Sequence, residues 1–474
     1  MKYLSTFFLF LFISCITSLD AEIKLPAIFS DGMVMQQKTN ANIWGKATPK
    51  GLVTLVASWD KKKFSTTADA QGDWKIVIST PAAGGPFTMT ISDSKPFTLK
   101  DILMGELWLC SGQSNMEMPM KGFKNQPVEG SNMDILKSTN PNLRLFTVKR
   151  NSTIQAQTDV TGKWQDASPE TVGQFSATGY YFGRLLQETL HVPVGLVSSS
   201  WGGSCIEAWM TEDMLRAFPS VKIPKTEKDI KEKNRTPTTL YQAMIHPLVG
   251  LTIKGVIWYQ GESNYDRSNL YTDMFSTMIS GWRKNWNQQD TIPFYYCQIA
   301  PFDYSIITEK GKEVINSAYL REAQAKAELL IPATGMVVLL DAGLEKGIHP
   351  VKKQVVGERL ALLALSKSYK IKGISAESPV YKGMEIQGDT VIVSFERAPM
   401  WMSAKNFESK CFKLAGQDKV FHPAKAWIVR SKVYVKSESV VKPVAVRYGF
   451  ENYVEGDLFS NEGLPVSSFR SDTW

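Results

Sequence analysis

The sequence predicts an α/β protein in which a parallel sheet, covered by helices on both faces, lies between two β-rich regions. From about residue 101 to 372, continuous apolar runs alternate with helical patterns, which is typical of buried parallel strands joined by helices. Short alternating runs separated by Gly- and Pro-containing turns precede this region, and similar runs follow it. A chain of 474 residues with 43% hydrophobic content can fold into two or three such domains.

The elements of the central region follow from the periodicity of its apolar residues. Five apolar runs predict strands, at 107–110, 194–199, 255–259, 294–299 and 336–340. Four segments with apolar residues at spacings of three and four predict helices, at 179–190, 270–286, 318–330 and 353–366. Residues 22–100 predict a small β-sandwich, whereas 373–474 predict either a second sandwich or strands that pack with the first one.

The N-terminus has the pattern of an export signal. A short positively charged start, Met1-Lys2, is followed by an almost entirely apolar run over 4–16 and then by small and polar residues. Cleavage is expected near Ala21. This predicts an exported, periplasmic or extracellular protein. A second interpretation is a lipid anchor at Cys15, which would make it an outer-membrane lipoprotein. No later stretch approaches the roughly 20 apolar residues of a membrane-spanning helix.

Composition excludes several classes of function. The formal net charge of +8 is spread along the chain, and no nucleic-acid-binding motif accompanies it, so we expect no nucleic-acid partner. The Lys- and Glu-rich segment 222–238 is interpreted as a solvated insertion. The cysteines beyond the signal have no zinc-ligand spacing, and most are expected to be buried thiols; they are Cys110, Cys205, Cys297 and Cys411.

The first candidate for chemistry is Ser114, in the sequence Trp-Leu-Cys-Ser-Gly-Gln-Ser-Asn-Met over 108–116. A buried strand leads into a glycine-containing turn, so Ser114 lies at the carboxyl end of a strand, where open α/β sheets bind ligands. A serine on such a turn can expose its hydroxyl, and its own N–H can bind an oxyanion. The alternative interpretation is a serine that caps the following helix.

Two further segments follow strand ends and carry donor groups. Residues 198–204 include the pair Gly202-Gly203, where glycine allows the backbone N–H groups to approach a ligand. Residues 258–264 include Gln260 and Asn264, whose side-chain amides are typical donors to an oxyanion. Ordinary turn chemistry is the alternative interpretation of both segments.

A serine nucleophile of this kind requires a base that titrates near neutral pH, which favours histidine. The chain has four histidines. His349 follows the last predicted strand of the sheet and is the candidate base. His246 is the competitor, with a structural role expected, while His191 and His422 are expected at the surface.

Together these segments resemble the SGNH hydrolase superfamily, and more narrowly the sialate O-acetylesterase family of carbohydrate esterases. The likeness extends over nearly the whole chain after the signal. The matching blocks are 112–116, 201–204 with 206–209, 258–264, 348–350 with 357–362, and the terminal segments 25–36, 461–465 and 468–470.

The resemblance implies a flavodoxin-like, three-layer α/β/α hydrolase domain over 101–372, with a β-sandwich over 22–100 and a β-rich domain over 373–474. It also implies a serine esterase that acts on an O-acetylated glycan without a metal or organic cofactor. Ser114 would be the nucleophile and His349 the base. The oxyanion hole would comprise the N–H groups of Ser114 and Gly203 with an amide from Gln260 or Asn264.

One departure from the superfamily concerns the acid that orients the histidine. An Asp usually stands two or three residues before it, but those positions hold Gly347 and Lys346 here. Glu345 could replace it from a shifted loop, Asp341 could reach in from the strand end, or a backbone carbonyl could orient the ring in a Ser–His dyad.

The sequence leaves the substrate open. O-acetylated sialic acid is the first expectation, and acetylated xylan or pectin is the alternative. Lys346 also permits a catalytically weakened glycan-binding relative.

Overall fold

The computed structural model describes residues 23–287 and 292–474. The predicted signal segment and Cys15 lie outside the described residues. Within these two ranges, no helix is both long and apolar enough to cross a membrane. The described chain combines a large mixed sheet with a separate antiparallel β-sheet, so it has the mixed α/β fold that the sequence predicts.

The N-terminal part of the chain is built from strands, as expected for residues 22–100. β2 pairs with β5, β3 with β4 and β6, and β6 with β7, all antiparallel, whereas β1 runs parallel to β7. The strands are β1 (Val34–Gln36), β2 (Asn40–Lys46), β3 (Leu52–Ala57), β4 (Lys63–Thr67), β5 (Asp73–Ser79), β6 (Gly84–Ser92) and β7 (Pro96–Gly112).

β7 belongs to both the N-terminal strands and the central sheet. Its first part pairs antiparallel with β6, and its second part pairs in parallel with β10 (Val194–Ser200) and β11 (Gly255–Tyr259). The backbone changes direction at Asp101, where φ is +56°. The Asp101 carboxylate accepts a 2.7 Å hydrogen bond from Arg144, which holds this bend. The boundary predicted at residue 101 therefore lies inside a continuous strand.

The central sheet has the strand order β13-β12-β11-β7-β10-β8-β9, in which only the β8–β9 pair is antiparallel. Its other strands are β8 (Asn140–Thr147), β9 (Trp164–Ala167), β12 (Phe294–Cys297) and β13 (Thr334–Val337). The α-helices among the described residues are α1 (Ser114–Glu117), α2 (Ser131–Leu136), α3 (Pro169–Val172), α4 (Ala177–Leu190), α5 (Glu212–Leu215), α6 (Ser268–Asn285), α7 (Ala318–Leu330) and α8 (Lys353–Lys367).

Alternate residues of the parallel strands pack into two different hydrophobic clusters. Trp108 of β7 and Ile257 of β11 belong to the cluster that includes residues of α4 and α8. Their neighbours Leu109 and Trp258 belong to the cluster that includes residues of α6 and α7. Because successive side chains of a strand point to opposite faces, both faces of these strands are buried, which explains their unbroken apolar sequences.

The C-terminal strands form their own antiparallel sheet in the order β14-β15-β19-β18-β17-β20-β22. Among the described residues, none of these strands pairs with β1–β7, so they do not extend the N-terminal sheet. The strands of this sheet are β14 (Val380–Gln387), β15 (Thr390–Glu396), β17 (Glu408–Ala415), β18 (Phe421–Val429), β19 (Lys432–Lys436), β20 (Ala445–Tyr448) and β22 (Phe469–Arg470). Two further strands, β16 (Met402–Ala404) and β21 (Leu458–Ser460), pair antiparallel with each other in a separate two-stranded sheet.

Candidate active site

The carboxyl ends of three neighbouring strands bring the sequence motifs together. Ser200 at the end of β10 and Tyr259 at the end of β11 both pair in register with Gly112 at the end of β7. Each strand continues directly into one of the segments that carry polar side chains. The register of the sheet therefore assembles the site predicted from three separate parts of the sequence.

Ser114 occupies the first position of α1, immediately after the turn at Gly112. The φ of Gly112 is +135°, and a Cβ atom there would lie 2.2 Å from the carbonyl oxygen of Tyr259. Only glycine therefore permits the close approach that forms this turn. The N-cap position of α1 is held by Gln113, and the Ser114 hydroxyl makes none of the hydrogen bonds of the described residues. The capping role considered for Ser114 is thus not observed.

The Gly202-Gly203 loop lies directly against Ser114. A Cβ atom on Gly202 would stand 3.2 Å from the Cβ of Ser114, and Gly203 has a φ of +71°. The Gly202 N–H donates a 2.7 Å hydrogen bond to Glu117, while the N–H groups of Gly203 and Ser114 donate none of the backbone hydrogen bonds in the described ranges. The N–H groups of Ser114 and Gly203 are therefore both available to a ligand.

Gln260 and Asn264 are buried and support the loop that carries Gly203. The Gln260 amide donates to the Ser204 carbonyl at 3.1 Å and to the Asn264 side-chain oxygen at 2.7 Å. The same Asn264 oxygen accepts the Ile206 N–H at 2.9 Å, and its amide nitrogen donates to Glu207 at 3.0 Å. Both amide hydrogens of Gln260 are thus engaged in hydrogen bonds, whereas one amide hydrogen of Asn264 has no acceptor among the described residues.

His349 is held by a side-chain amide instead of a carboxylate. Its Nδ1 is hydrogen-bonded to Oε1 of Gln126, and its ring packs edge-on against Phe123 at a centroid distance of 5.3 Å. A carbonyl oxygen only accepts, so Nδ1 carries the proton and Nε2 presents its lone pair. Nε2 is buried and has no hydrogen-bond partner among the described residues. This is the state required of a general base.

The two carboxylates considered as partners of His349 lie in other contacts. Asp341 forms a two-point ion pair with Arg359, at 2.8 and 2.7 Å. The Glu345 side chain is exposed, and its backbone carbonyl accepts the Asp303 N–H at 3.0 Å. Neither forms a hydrogen bond with the His349 ring among the described residues. Their proposed orienting role has no support in this geometry.

The other candidate base, His246, has a structural environment. Its Nδ1 is 2.9 Å from the carbonyl oxygen of Gln157, and its ring packs edge-on against Tyr241. It lies in the short 3₁₀ turn His246–Leu248, after a π-helical segment.

Several side chains at the site were not identified from the sequence. Gln126 lies in a tight turn in which Phe123 and Gln126 exchange backbone hydrogen bonds of 3.0 Å. Asn234, in the segment expected to be a solvated insertion, donates a 2.7 Å hydrogen bond to the Gly202 carbonyl. Glu117 joins Gly202 to Arg150, whose guanidinium lies 5.6 Å from the Trp201 ring centroid. None of these residues carries a local signal that could reveal its partner.

Burial and a nearby cation set the acidity of His349. Burial, followed by the positive charge of Lys353, lowers the pKa of His349 to about 4. The imidazole is therefore neutral at physiological pH and can accept a proton there.

The chain is similar to known carbohydrate esterases. Residues 104–362 match the family described as carbohydrate esterase, sialic acid-specific acetylesterase. The chain is 30% identical to a sialate O-acetylesterase of Mus musculus, covering 82% of each chain. It is 32% identical to a sialate O-acetylesterase of Homo sapiens, covering 77% of this chain and 74% of the relative.

A solved structure is similar over almost the entire length. A carbohydrate acetylesterase from Xanthomonas citri aligns with a TM-score of 0.86 and 36% identity, covering 96% of this chain and 100% of that one. The family match includes Ser114, Gly203 and His349. The chain therefore belongs to the sialic acid-specific acetylesterase family of carbohydrate esterases and is an esterase that hydrolyses O-acetyl groups on carbohydrates.

Proposed function

We propose that the reaction proceeds through an acetyl-enzyme on Ser114. The Ser114 hydroxyl attacks the acetyl carbonyl while Nε2 of His349 takes its proton, forming a tetrahedral oxyanion. Collapse of this intermediate breaks the ester bond, and His349 returns the proton to the departing sugar oxygen. Water, activated by the same imidazole, then hydrolyses the acetyl-enzyme and releases acetate.

The observation that carries this proposal is the hydrogen bond between His349 Nδ1 and Gln126. It leaves the unpartnered Nε2 as the proton acceptor in a buried site beside the Ser114 turn. An amide oxygen fixes the tautomer and orientation of the ring as a carboxylate does, but without a negative charge to stabilise the imidazolium. We assign Gln126 as the residue that orients the base.

For the oxyanion hole we propose the N–H groups of Ser114 and Gly203, with Asn264 as the side-chain donor. Both backbone groups are free of other hydrogen bonds in the described ranges. Asn264 is favoured over Gln260 because it retains an amide hydrogen that no described hydrogen bond uses. Donors held in place before the reaction stabilise the developing negative charge without reorganisation.

The lowered pKa of His349 predicts an unusual pH dependence. The base acts in its neutral form, which predominates above its pKa, so activity is lost as the pH falls through that value. With a pKa of about 4, kcat/KM for an aryl acetate should stay level from neutral pH to about pH 5 and decline about tenfold per unit below pH 4. A half-maximal rate near pH 6.5 would contradict an imidazole whose pKa is lowered by burial and by Lys353.

Substitution of Gln126 tests its orienting role. Gln126→Ala should lower kcat roughly ten- to a hundredfold, a part of the contribution that a positioned base supplies. Gln126→Glu should keep the orientation of the His349 ring and add a negative charge, which raises the pKa of His349. The fall of kcat/KM at acid pH, its acid limb, should therefore move to higher pH. Lys124→Ala, at an exposed position of the same turn, is the control. Equal activity of Gln126→Ala and wild type would remove Gln126 from the mechanism.

We further propose O-acetylated sialic acid as the substrate. The mouse and human relatives are sialate O-acetylesterases. Arg150 and Arg235, with side chains 51% and 49% exposed, lie beside the Gly202-Gly203 loop, where cations favour an anionic sugar. Acetate release should be compared for O-acetylated sialic acid, acetylated xylan, acetylated pectin and an aryl acetate. Faster release from xylan or pectin would assign the chain to plant polysaccharide.

The finer description of the fold is also a proposal. We infer a three-layer α/β/α hydrolase domain of the SGNH type over 101–372, flanked by β-domains over 22–100 and 373–474. The two hydrophobic clusters on opposite faces of β7 and β11 support the three layers. Limited proteolysis that releases a stable fragment ending near residue 372 would support the C-terminal boundary, and cleavage only inside 373–474 would oppose it.

We propose that the protein is exported, on the sequence of residues 1–21 alone. N-terminal sequencing of the protein recovered from the cell envelope and the medium tests this. A mature chain that starts near residue 22 indicates cleavage, whereas a lipid-modified chain that starts at Cys15 indicates an anchor. A chain that still begins at Met1 would contradict both.

A further inference from the structure

Lys353 is a charged residue at the centre of the site that the mechanism above does not use. It is the first residue of α8 and is 0% exposed. Its ammonium donates to Oδ1 of Asn115 and lies 5.5 Å from the centroid of the Tyr259 ring. A buried cation at a helix N-terminus is opposed both by desolvation and by the helix dipole. Burying the Lys353 ammonium here therefore costs stability unless another group compensates its charge.

The compensating charge is Glu262, which reaches Lys353 through Asn115. Glu262 is 4% exposed, and its Oε1 accepts a 2.6 Å hydrogen bond from the Asn115 amide nitrogen. The Asn115 side chain thus accepts from the ammonium on one side and donates to the carboxylate on the other. This arrangement fixes which way the amide points, since the reversed amide would oppose both charges.

The same amide joins the two halves of the catalytic pair. The Asn115 nitrogen also donates to the Ile348 carbonyl at 3.1 Å. Asn115 follows Ser114 directly and Ile348 precedes His349 directly, so one side chain connects the turn of the nucleophile to the loop of the base. The Asn115 backbone is held in turn by a 3.0 Å hydrogen bond from Thr178 to its carbonyl oxygen.

We propose that Lys353 and Glu262 are positioning residues of the esterase reaction, which lock the Asn115 amide and thereby set His349 against Ser114. This inference rests on the proposed Ser114–His349 mechanism. Lys353 acts directly on the base, because its positive charge opposes the imidazolium and lowers the pKa of His349. The titratable groups that interact electrostatically with Lys353 are Glu262, Cys297 and His349.

The first test removes the cation. Lys353→Met should lower kcat for an aryl acetate about tenfold or more with little change in KM, because positioning is lost but binding is not. It should also raise the pKa of His349, because a cation near the ring is removed. The fall of kcat/KM at acid pH should then begin about 0.5 pH unit or more higher than in wild type. Lys352→Met, at the adjacent exposed lysine, should match wild type in both measurements.

The second test removes the carboxylate. Glu262→Gln keeps an acceptor for Asn115 and should lower kcat less than Lys353→Met does. It should leave the acid limb within about 0.1 unit of wild type, because burial raises the pKa of Glu262 and its carboxyl is already largely protonated where His349 titrates. The double variant, which leaves no single buried charge, covers the case in which one variant does not fold. Its acid limb should lie above that of Glu262→Gln, because the remaining cation is removed.

An upward shift in Lys353→Met that Glu262→Gln does not share supports the inference, because a merely structural role lowers the folded fraction without moving a titration. An acid limb of folded Lys353→Met within about 0.1 unit of wild type, or of the double variant within about 0.1 unit of Glu262→Gln, would overturn it. A wild-type protein that releases no acetate would instead overturn the proposed mechanism, so the two failures are distinguishable.

Discussion

Ser114→Ala should lower kcat for an aryl acetate by at least about a thousandfold while the protein remains as stable as wild type. Loss of the nucleophile removes the acetyl-enzyme route and leaves only what binding and the oxyanion donors supply. Stability should be unaffected because the Ser114 hydroxyl makes no hydrogen bond among the described residues. Initial rates and thermal unfolding of the same preparation measure both quantities.

Ser111→Ala is the matched control for this variant. Ser111 lies in the same turn but is buried, and its hydroxyl donates a 2.6 Å hydrogen bond to the Ser199 carbonyl. We expect its loss to cost stability, about 1 kcal/mol, and to leave kcat within a fewfold of wild type. If both variants lost activity equally, the turn as a whole would matter and Ser114 would have no special role.

His349→Ala should have the next largest effect, a loss in kcat of about a thousandfold at pH 7. Without the imidazole, no group at the site is poised to take the Ser114 proton, and general-base catalysis of this kind contributes about 10²–10⁴-fold. The variant also leaves a cavity beside Phe123, so added imidazole should restore part of the rate. Rates measured with and without imidazole separate a missing base from a collapsed site.

His246→Ala discriminates between the two histidines that the sequence offers. Its Nδ1 contact with the Gln157 carbonyl and its packing on Tyr241 predict a loss of stability with kcat retained. A loss of kcat in folded His246→Ala, with His349→Ala still active, would reverse the assignment of the base.

The strands and helices of the central region could be predicted because the spacing of their apolar residues follows from which faces are buried. The strand at 255–259 and the helix at 318–330 have the predicted bounds, and α4, α6 and α8 differ from prediction by one to two residues at their ends. β13 ends at Val337, short of the predicted 340, although residues 338–340 are buried. An apolar run reports burial, whereas the end of a strand depends on where pairing with its neighbour stops.

The division of the chain was harder to predict because it depends on contacts distant in sequence. β7 continues through the predicted boundary, and its bend at Asp101 is held by Arg144, 43 positions later. Turn residues signal a change of direction but not whether hydrogen bonding continues across it. The separate pairing of β14–β22 likewise follows from tertiary packing, which left both interpretations of residues 373–474 open to sequence reasoning.

At the site, the sequence indicated the groups at strand ends but not their partners. Ser114, Gly203, Gln260 and Asn264 follow parallel strands, so the order of the motifs implied that they meet. Gln126 belongs to an irregular turn 223 positions from His349, and a glutamine in such a turn has no distinctive pattern. Asp341 and Glu345 are near His349 in sequence, whereas the observed partner of the ring is an amide from a distant loop.

The same limit applies to Lys353 and Glu262. A lysine at the start of a helix is usually solvated, and the adjacent Lys352 is indeed exposed. Only the packing of α8 against the Ser114 turn shows which of these two lysines is buried.

We propose that Ser114 is a nucleophile activated by His349. Reaction with a serine-directed organophosphonate, followed by mass spectrometry of the digested protein, tests it most directly. We expect one phosphonyl group per chain, located on Ser114, formed rapidly by wild type and at least about a hundredfold more slowly by His349→Ala. Labelling of another serine, or no labelling of a protein that releases acetate, would exclude Ser114 as the nucleophile.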